Sequence, residues 1–501
     1  MVFSTIIFLC VFLPITIILY YLMPSRLKNY YLLLASLFFY AWGEPKFVWV
    51  MLGSILVNYV LGMWISRCNA LVDNVSSGGK INTIGRQKKA AVTIAVVLNI
   101  GILFVFKYLA FVSETLHRLS ESVPVIEIAL PIGISFYTFQ GLSYVIDVYR
   151  GEAAQRNPFR LALYISMFPQ LIAGPIVRYK DVSDALIRRE HSAERFASGI
   201  ERFVVGLAKK AILANMTGEL ANSILAGEFA TMSAQVAWLG AIAYTLQIYF
   251  DFSGYSDMAI GLGRIFGFEF AENFNYPYIS RSVREFWRRW HISLSGWFRD
   301  YLYIPLGGNR RGNVYVNLAI VFLATGIWHG AAWGFLLWGI WHGFFILLER
   351  FLTEKGLSGR GAPEKDGKQP GVLKSVLGWI YTMLVVMLGW VLFGIVDLSR
   401  FMDYLAVMFG ANAGAFTAYG LRFYLNNQMI CYLTIALLAC VPWKQVWAAL
   451  QEKGIIAAKQ YPEAMVFAGQ ILKRIFLLML LAVCYVYVIN SSYNPFIYFR
   501  F

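Results

Sequence analysis

The segment IWHGAAWGFLLWGIWHG, residues 327–343, contains the tetrapeptide IWHG twice within an otherwise apolar run. The whole chain has five histidines, and two of them, His329 and His342, lie here. Ionisable side chains are rare inside membrane-spanning helices and indicate function where they occur. The segment therefore predicts a membrane interior in which each histidine either packs against its neighbours or is chemically active.

The composition of the 501 residues indicates the same environment. Hydrophobic residues make up 59% of the chain and charged residues only 14%, whereas about a quarter of the residues of a soluble domain are charged. The aromatic share of 17% suits interfacial belts and an aromatic interior. We predict an all-α polytopic membrane protein. No domain boundary is evident, so the prediction is one domain over residues 1–501.

The net charge of +15 is best explained by the membrane. Lys and Arg collect in cytoplasmic loops, where they face anionic lipid. No basic stretch lies in a detachable soluble domain, which disfavours nucleic-acid binding. Membrane lipid is therefore the expected partner of these charges, and nucleic acid is not.

Apolar runs predict the membrane spans, each of which needs about 20 residues. The candidates are roughly 6–23, 29–43, 46–66, 90–112, 129–148, 196–224, 233–262, 314–329, 332–350, 375–396, 428–442 and 472–490. The segment 196–224 is ambiguous because Arg202, Lys209 and Lys210 interrupt it. We predict about eleven crossings, together with re-entrant or interfacial helices.

Basic segments predict the orientation. The segments 67–89, 150–160, 178–195, 264–311 and 443–474 are placed inside, as is the polar loop 353–371, which puts both termini outside. This topology requires the stretch 159–177 to turn back without crossing. Pro169 and the pair Gly174–Pro175 are the predicted breaks. Irregular backbone at membrane depth must be covered by protein or face a water cavity, so an enclosed interior is expected.

Polar residues within the apolar runs are the next candidates. Asp251 lies in YFDFSGYSDMAIGLG, residues 249–263, and either holds neighbouring helices or contacts a substrate. Gln140 ends PIGISFYTFQ, residues 131–140, and either bonds between helices or lines a polar path.

A basic and aromatic segment, residues 280–312, follows. Arg281, Arg284 and Arg288 have the i, i+3, i+7 spacing of one helical stripe. The stripe predicts either an amphipathic helix on anionic lipid or a cationic rim for a phosphate-bearing donor. His291 follows a double arginine, which we expect to keep its ring neutral.

The two histidines of the opening segment are expected to differ. In one continuous helix they would lie about 20 Å apart and differ by roughly 140° in direction, so they could not share a site. Gly326 and Gly330 predict a break that places His329 at a helix end, beside a cavity. His342 is predicted to be a packing residue near the cytoplasmic face.

These residues lie in motifs that resemble the membrane-bound O-acyltransferase family, and within it the bacterial alginate O-acetyltransferase-like branch. The matching motifs are PIGISFYTFQ at 131–140, FPQLIAGPI at 168–176, YFDFSGYSDMAIGLG at 249–263, ENFNYPY at 272–278, FWRRWHISLSGWFRDYLYIPLGGNR at 286–310 and WHGAAWGFLLWG at 328–339. The resemblance covers about residues 28–350, whereas 351–501 match only in hydrophobic layout. It implies a helical bundle around a central tunnel, with His329 and His291 as the working histidines.

The resemblance also implies the chemistry. An acetyl group would pass from a thioester to an alcohol, with His329 as general base and His291 orienting a substrate or stabilising the oxyanion. The donor would be acetyl-CoA or another acyl thioester, and no metal or permanently bound cofactor is expected. The acceptor would be an exported, alginate-like polysaccharide at the bacterial cytoplasmic membrane, reached through an extracytoplasmic acetyltransferase or a polysaccharide-secretion complex.

Two alternatives stay open at this point. One is D-alanyl transfer to teichoic acid from a carrier protein, within the same family. The other is a transporter or polysaccharide flippase, which the lack of an internal repeat disfavours.

Overall fold

A computed structural model describes residues 1–73, 78–356, 371–412, 416–452, 463–491 and 496–497, which form helices and no strands. The first helices are α1 (Leu13–Leu22), α2 (Lys28–Gly43), α3 (Val48–Asp73), α4 (Gly78–Lys107), α5 (Leu109–Leu119), α6 (Ile134–Arg150), α7 (Pro158–Ser166), α8 (Phe168–Leu171), α9 (Tyr179–Ile187), α10 (Ala193–Ala208), α11 (Asn215–Leu225) and α12 (Ala234–Ile265). They are followed by α13 (Val283–Arg289), α14 (Ile292–Phe298), α15 (Val314–His329), α16 (Trp333–Glu354), α17 (Val372–Gly394), α18 (Leu398–Met408), α19 (Leu421–Tyr424), α20 (Asn427–Ala439), α21 (Trp443–Glu452) and α22 (Glu463–Asn490).

Five of the described helices, α3, α4, α16, α17 and α22, are long and apolar enough to cross a membrane. Shorter apolar helices cover Phe8–Leu22, Val314–His329 and Asn427–Ala439. The predicted all-α polytopic membrane protein is confirmed, while the number of crossings stays a prediction. The predicted inside location of loop 353–371 concerns mainly residues 357–370, which lie outside the described residues, as do the last four residues of the chain.

Helix α12 is the buried centre of the bundle, with α10 and α11 against it. Small residues allow the close approach. A Cβ atom added to Gly206 would lie 2.6 Å from the carbonyl oxygen of Gly254, and one added to Gly199 would lie 2.7 Å from that of Gly261. Glycine pairs of this kind bring helix backbones together in membranes. The polar residues of α12 therefore face protein.

The stretch 159–177 is discontinuous, as predicted, although its first break comes earlier than Pro169. Helix α7 ends at Ser166, and Met167, with φ −55° and ψ 113°, separates it from α8. The backbone groups that these breaks leave outside a helix form hydrogen bonds with other parts of the protein. Ser36 Oγ accepts from the Phe168 amide at 3.2 Å, and Ser293 Oγ accepts from the Ile176 amide at 3.0 Å. The predicted enclosure by protein is thus observed.

Candidate active site

His329 is the last residue of α15. Gly330 is extended, with φ −176° and ψ 162°, and α16 begins at Trp333 after a short turn. A Cβ atom on Gly330 would lie 2.3 Å from the Phe335 ring, so the turn requires glycine. The predicted helix break is confirmed, and it places the His329 ring on the last turn of α15.

This ring forms part of the wall of a cavity of about 80 Å³, which we call the histidine cavity. It is lined by Lys107, residues 130–136, Ile172, Trp328 and His329. Gly133 starts α6 with φ +76°, and a Cβ there would lie 2.8 Å from the Leu171 carbonyl oxygen. The start of PIGISFYTFQ therefore forms part of the wall, and Gln140 does not.

Gln140 is buried in α6, where its carbonyl accepts a hydrogen bond from Tyr164 at 3.4 Å. It is absent from the lining of the histidine cavity. The bond from Tyr164 is made to the backbone of Gln140, so both alternatives for its side chain stay predictions.

His291 lies at the junction of α13 and α14 in a left-handed conformation, with φ 44°. Its Nδ1 lies 3.0 Å from the side-chain oxygen of Asn273. The Asn273 amide donates to Ser256 at 3.0 Å, which turns its oxygen toward the histidine. Because that oxygen can only accept, Nδ1 carries the proton and Nε2 is the basic nitrogen.

The expected influence of the double arginine on His291 is wrong. Arg289 is bound by Glu285 at 3.0 Å, and Arg288 lines a different cavity. His291 is itself buried against Phe252, with the ring centroids 4.5 Å apart. Burial, rather than a neighbouring charge, therefore defines its surroundings.

Trp328 connects the two candidate histidines. Its ring centroid lies 4.9 Å from that of His329 and 6.1 Å from that of His291. Of the two histidines, only His329 lines the histidine cavity among the described residues. Both histidines thus contact the Trp328 side chain. Among the described residues, they do not line a common cavity.

His342 is fully buried in the middle of α16, and its predicted position near the cytoplasmic face stays a prediction. Its Nδ1 accepts from the Trp287 indole at 3.4 Å, and its ring lies 4.9 Å from that of Trp338. Trp338 also contacts His329, at 4.8 Å. The turn after His329 folds α16 back and makes this approach possible. The predicted packing role of His342 is confirmed.

Two of the three predicted arginines lie together. Arg284 and Arg288 on α13 line a cavity of about 260 Å³, the arginine cavity, with Arg299. No Asp or Glu is among the described residues of its wall, although Arg299 also contacts Asp300 at 2.9 Å. An anionic group would find an excess of positive charge there.

Arg281 does not belong to this stripe, so the predicted common face is wrong for it. Ser282 caps α13 by accepting from the Glu285 amide at 3.0 Å, which starts the helix after Arg281. The Glu349 carboxylate adds to the cap by accepting from the Val283 amide at 2.7 Å. Arg281 instead lines a separate, mainly apolar cavity of about 630 Å³.

Asp251 belongs to a buried ion pair. Its carboxylate lies 2.6 Å from Lys210 Nζ, and the two side chains are 2% and 3% exposed. Asp257, six residues later, binds Lys209 at 2.6 Å. Lys209 and Lys210 belong to a π-helical turn, Lys209–Ala214, that joins α10 to α11. The structural alternative for Asp251 is the one observed, and the ambiguous segment 196–224 is continuous helix.

Sequence reasoning missed Lys107, the last residue of α4. It is 8% exposed, and its Nζ donates to the Trp328 carbonyl at 2.5 Å and to Ser135 Oγ at 3.3 Å. The available signal was a lone cation inside the apolar run 90–112. Such a residue is a candidate by default.

Comparisons with known proteins show the family of the chain. The family model described as MBOAT, membrane-bound O-acyltransferase family, matches residues 91–355. The chain is 39% identical to the probable alginate O-acetylase of Azotobacter vinelandii, over 100% of both chains. It is 32% identical to the peptidoglycan O-acetyltransferase of Helicobacter pylori, over 82% of this chain and 80% of the relative. For the teichoic acid D-alanyltransferase of Bacillus subtilis, the identity is 32% over 40% of this chain and 54% of the relative.

Proposed function

The chain belongs to the membrane-bound O-acyltransferase family, and we propose that it transfers acetyl groups from a thioester to an exported, alginate-like polysaccharide. The supporting observation is the His329 ring at a helix end, in the wall of the histidine cavity. The acceptor class rests on the probable alginate O-acetylase, which matches over its whole length. Because the chain belongs to a family of acyltransferases, we propose acyl transfer in place of the transporter alternative.

The size of the histidine cavity supports a small acyl group. Its volume is about 80 Å³, whereas a cavity of about 150 Å³ holds one benzene molecule. An acetyl group has fewer heavy atoms than benzene and suits the smaller space.

The proposed reaction needs one base and one stabiliser of negative charge. His329 takes the proton of the acceptor hydroxyl while its oxygen attacks the thioester carbonyl. The carbon–sulfur bond then breaks, the thiolate leaves, and the proton held by His329 becomes available to it. His291 orients the reacting groups through Trp328, the side chain that both histidines contact.

The arginine cavity supports a donor that carries phosphate groups. Arginine forms strong charge-assisted hydrogen bonds with phosphate, and Arg284, Arg288 and Arg299 all line this cavity. We propose that the donor is acetyl-CoA or another acyl thioester that arrives from the cytoplasm. The acceptor side would then be extracytoplasmic, with an extracytoplasmic acetyltransferase or a secretion complex as partner.

In this proposal the protein lies in the bacterial cytoplasmic membrane with both termini outside. D-alanyl transfer from a carrier protein is the second candidate, favoured by the similarity to the Bacillus subtilis relative. The shorter match of that relative makes it the weaker one.

The test is acyl transfer by the full chain in lipid nanodiscs. Radiolabelled acetyl-CoA and a D-alanyl carrier protein are supplied separately, and both label on an oligosaccharide and thiol release are measured. Transfer of acetyl, lost in His329→Ala, supports the proposal. Transfer of D-alanine alone would favour the second candidate, and transfer of neither group would contradict both.

A further inference from the structure

Lys107 is a buried cation in the wall of the histidine cavity. It ends α4, is 8% exposed, and shares the cavity wall with His329. The proposed reaction as described so far gives this residue no role. Its position beside the general base raises the question of what an ammonium group does there.

Its hydrogen bonds leave capacity for a ligand. A lysine ammonium has three N–H donors, and two are used, toward the Trp328 carbonyl at 2.5 Å and Ser135 Oγ at 3.3 Å. Both acceptors are uncharged. Within the described ranges, neither the ion pairs nor the cavity wall supply a carboxylate to Lys107. An ammonium group buried beside a cavity is stabilised by a nearby anion, so the histidine cavity is suited to an anionic occupant.

The same contacts fix Lys107 relative to His329. Its bond to the Trp328 carbonyl is made to the peptide group that leads into His329. The next residue, Tyr108, donates through its hydroxyl to the Ile327 carbonyl at 2.7 Å. The end of α4 therefore holds the last carbonyls of α15, and a cation is favourable at that end of a helix. These contacts hold the Lys107 ammonium group in a fixed position relative to His329.

We propose that Lys107 is a catalytic residue whose third N–H donates to an anionic oxygen in the histidine cavity. The inference rests on the proposed acyl transfer. During attack, the hydroxyl proton passes to His329, a carbon–oxygen bond forms, and the carbonyl electron pair moves onto oxygen. That oxyanion accepts from Lys107 until the carbon–sulfur bond breaks and the thiolate leaves. A carboxylate of an acidic acceptor offers the same chemistry and is the second source of such an oxygen.

The test compares Lys107→Met and Lys107→Arg with Tyr108→Phe in nanodiscs. Tyr108→Phe is the matched control because it removes the neighbouring anchor of α15 without removing charge. Turnover and KM are measured with acetyl-CoA, on an oligouronate and on a neutral oligosaccharide. Loss of one oxyanion donor lowers turnover by about 10²–10³-fold. We expect that loss in Lys107→Met on both acceptors, a smaller loss in Lys107→Arg, and near-normal turnover in Tyr108→Phe.

The outcomes separate the two sources of the anion. A fall in turnover on both acceptors assigns the oxyanion, whereas a rise in KM for the oligouronate alone assigns an acceptor carboxylate. Equal effects of Lys107→Met and Tyr108→Phe would overturn the proposal, because both would then act only by anchoring α15. If Lys107→Met does not fold, as judged by its thermal midpoint, Lys107→Arg decides: turnover clearly below that of Tyr108→Phe with its fold intact supports a specific lysine contact, and turnover equal to or above that of Tyr108→Phe overturns one.

The His329→Ala variant distinguishes a failure of the Lys107 inference from a failure of the proposed function. If it is inactive while Lys107→Met matches the wild type, the Lys107 inference fails and the proposed function stands. If His329→Ala keeps wild-type turnover, the assignment of His329 as the base fails, and if the wild type transfers no acetyl group, the proposed function itself fails.

Discussion

Neutralising Asp251 should destabilise the bundle far more than it changes acyl transfer. The Asp251 carboxylate and the Lys210 ammonium are 2.6 Å apart, with side chains 2% and 3% exposed. Removing one partner of such a pair strands the other charge in protein, at a cost of about 3–5 kcal/mol. Asp251 also accepts a 2.8 Å hydrogen bond from the Ile497 amide. We therefore expect Asp251→Asn to lower the free energy of unfolding by an amount in this range.

The assay is a double-mutant cycle on stability in mixed detergent micelles, followed by tryptophan fluorescence. Lys210→Met should be destabilising, and the double variant should recover much of the loss because no buried charge is left unpaired. Asp257→Asn is the control, since the Asp257 side chain is more exposed, at 10%, and keeps contact with Arg202. If Asp251→Asn is as stable as the wild type but loses donor binding, the structural role argued for Asp251 is refuted.

Three further predictions concern the surface and the topology. The double variant Arg284→Gln/Arg288→Gln should raise the KM for the donor, and Arg281→Gln, at a residue that lines another cavity, should not; equal KM values in the double variant and in Arg281→Gln would leave the arginine cavity without a donor role. Burial, and then the charges of Lys28 and Arg189, lower the pKa of His191 to about 4, so its neutral form contributes stability above pH 6.5 that is lost as the pH falls toward 4. His191→Gln should therefore reduce the drop in thermal midpoint between pH 7 and pH 5, and an unchanged drop would contradict this. A reporter fused at residue 185 should signal from the cytoplasm and one at the C-terminus from outside; an outer signal at 185 would show that the stretch 159–177 crosses the membrane.

Local sequence signals predicted much of the fold. The glycines around His329 predicted the end of α15, because a residue without a side chain fits where the Phe335 ring approaches the backbone. The prolines of 159–177 predicted a discontinuous, enclosed segment. Both predictions depend on residues that lie next to the feature they determine.

The errors arose where distant residues meet. Arg281 lies outside the predicted stripe because Glu349 of α16 helps to cap α13, which begins only after Arg281. The burial of His342 depends on the packing of α16 against α13, where the Trp287 indole donates to its ring. Lys107 and Trp328 are 221 residues apart in the sequence, so their contact has no local signal. Spacing along a helix says nothing about such contacts.

The most direct test of the account compares His329→Ala with His342→Ala, in cells at equal protein level, by measuring acetylation of the exported polysaccharide. Each histidine lies in its own copy of the WHG motif, and both contact Trp338. Among the described residues, only His329 of the two lines the histidine cavity. We predict that His329→Ala abolishes acetylation and that His342→Ala retains most of it. Equal loss in both variants, or acetylation that survives His329→Ala, would contradict the assignment of His329 as the base.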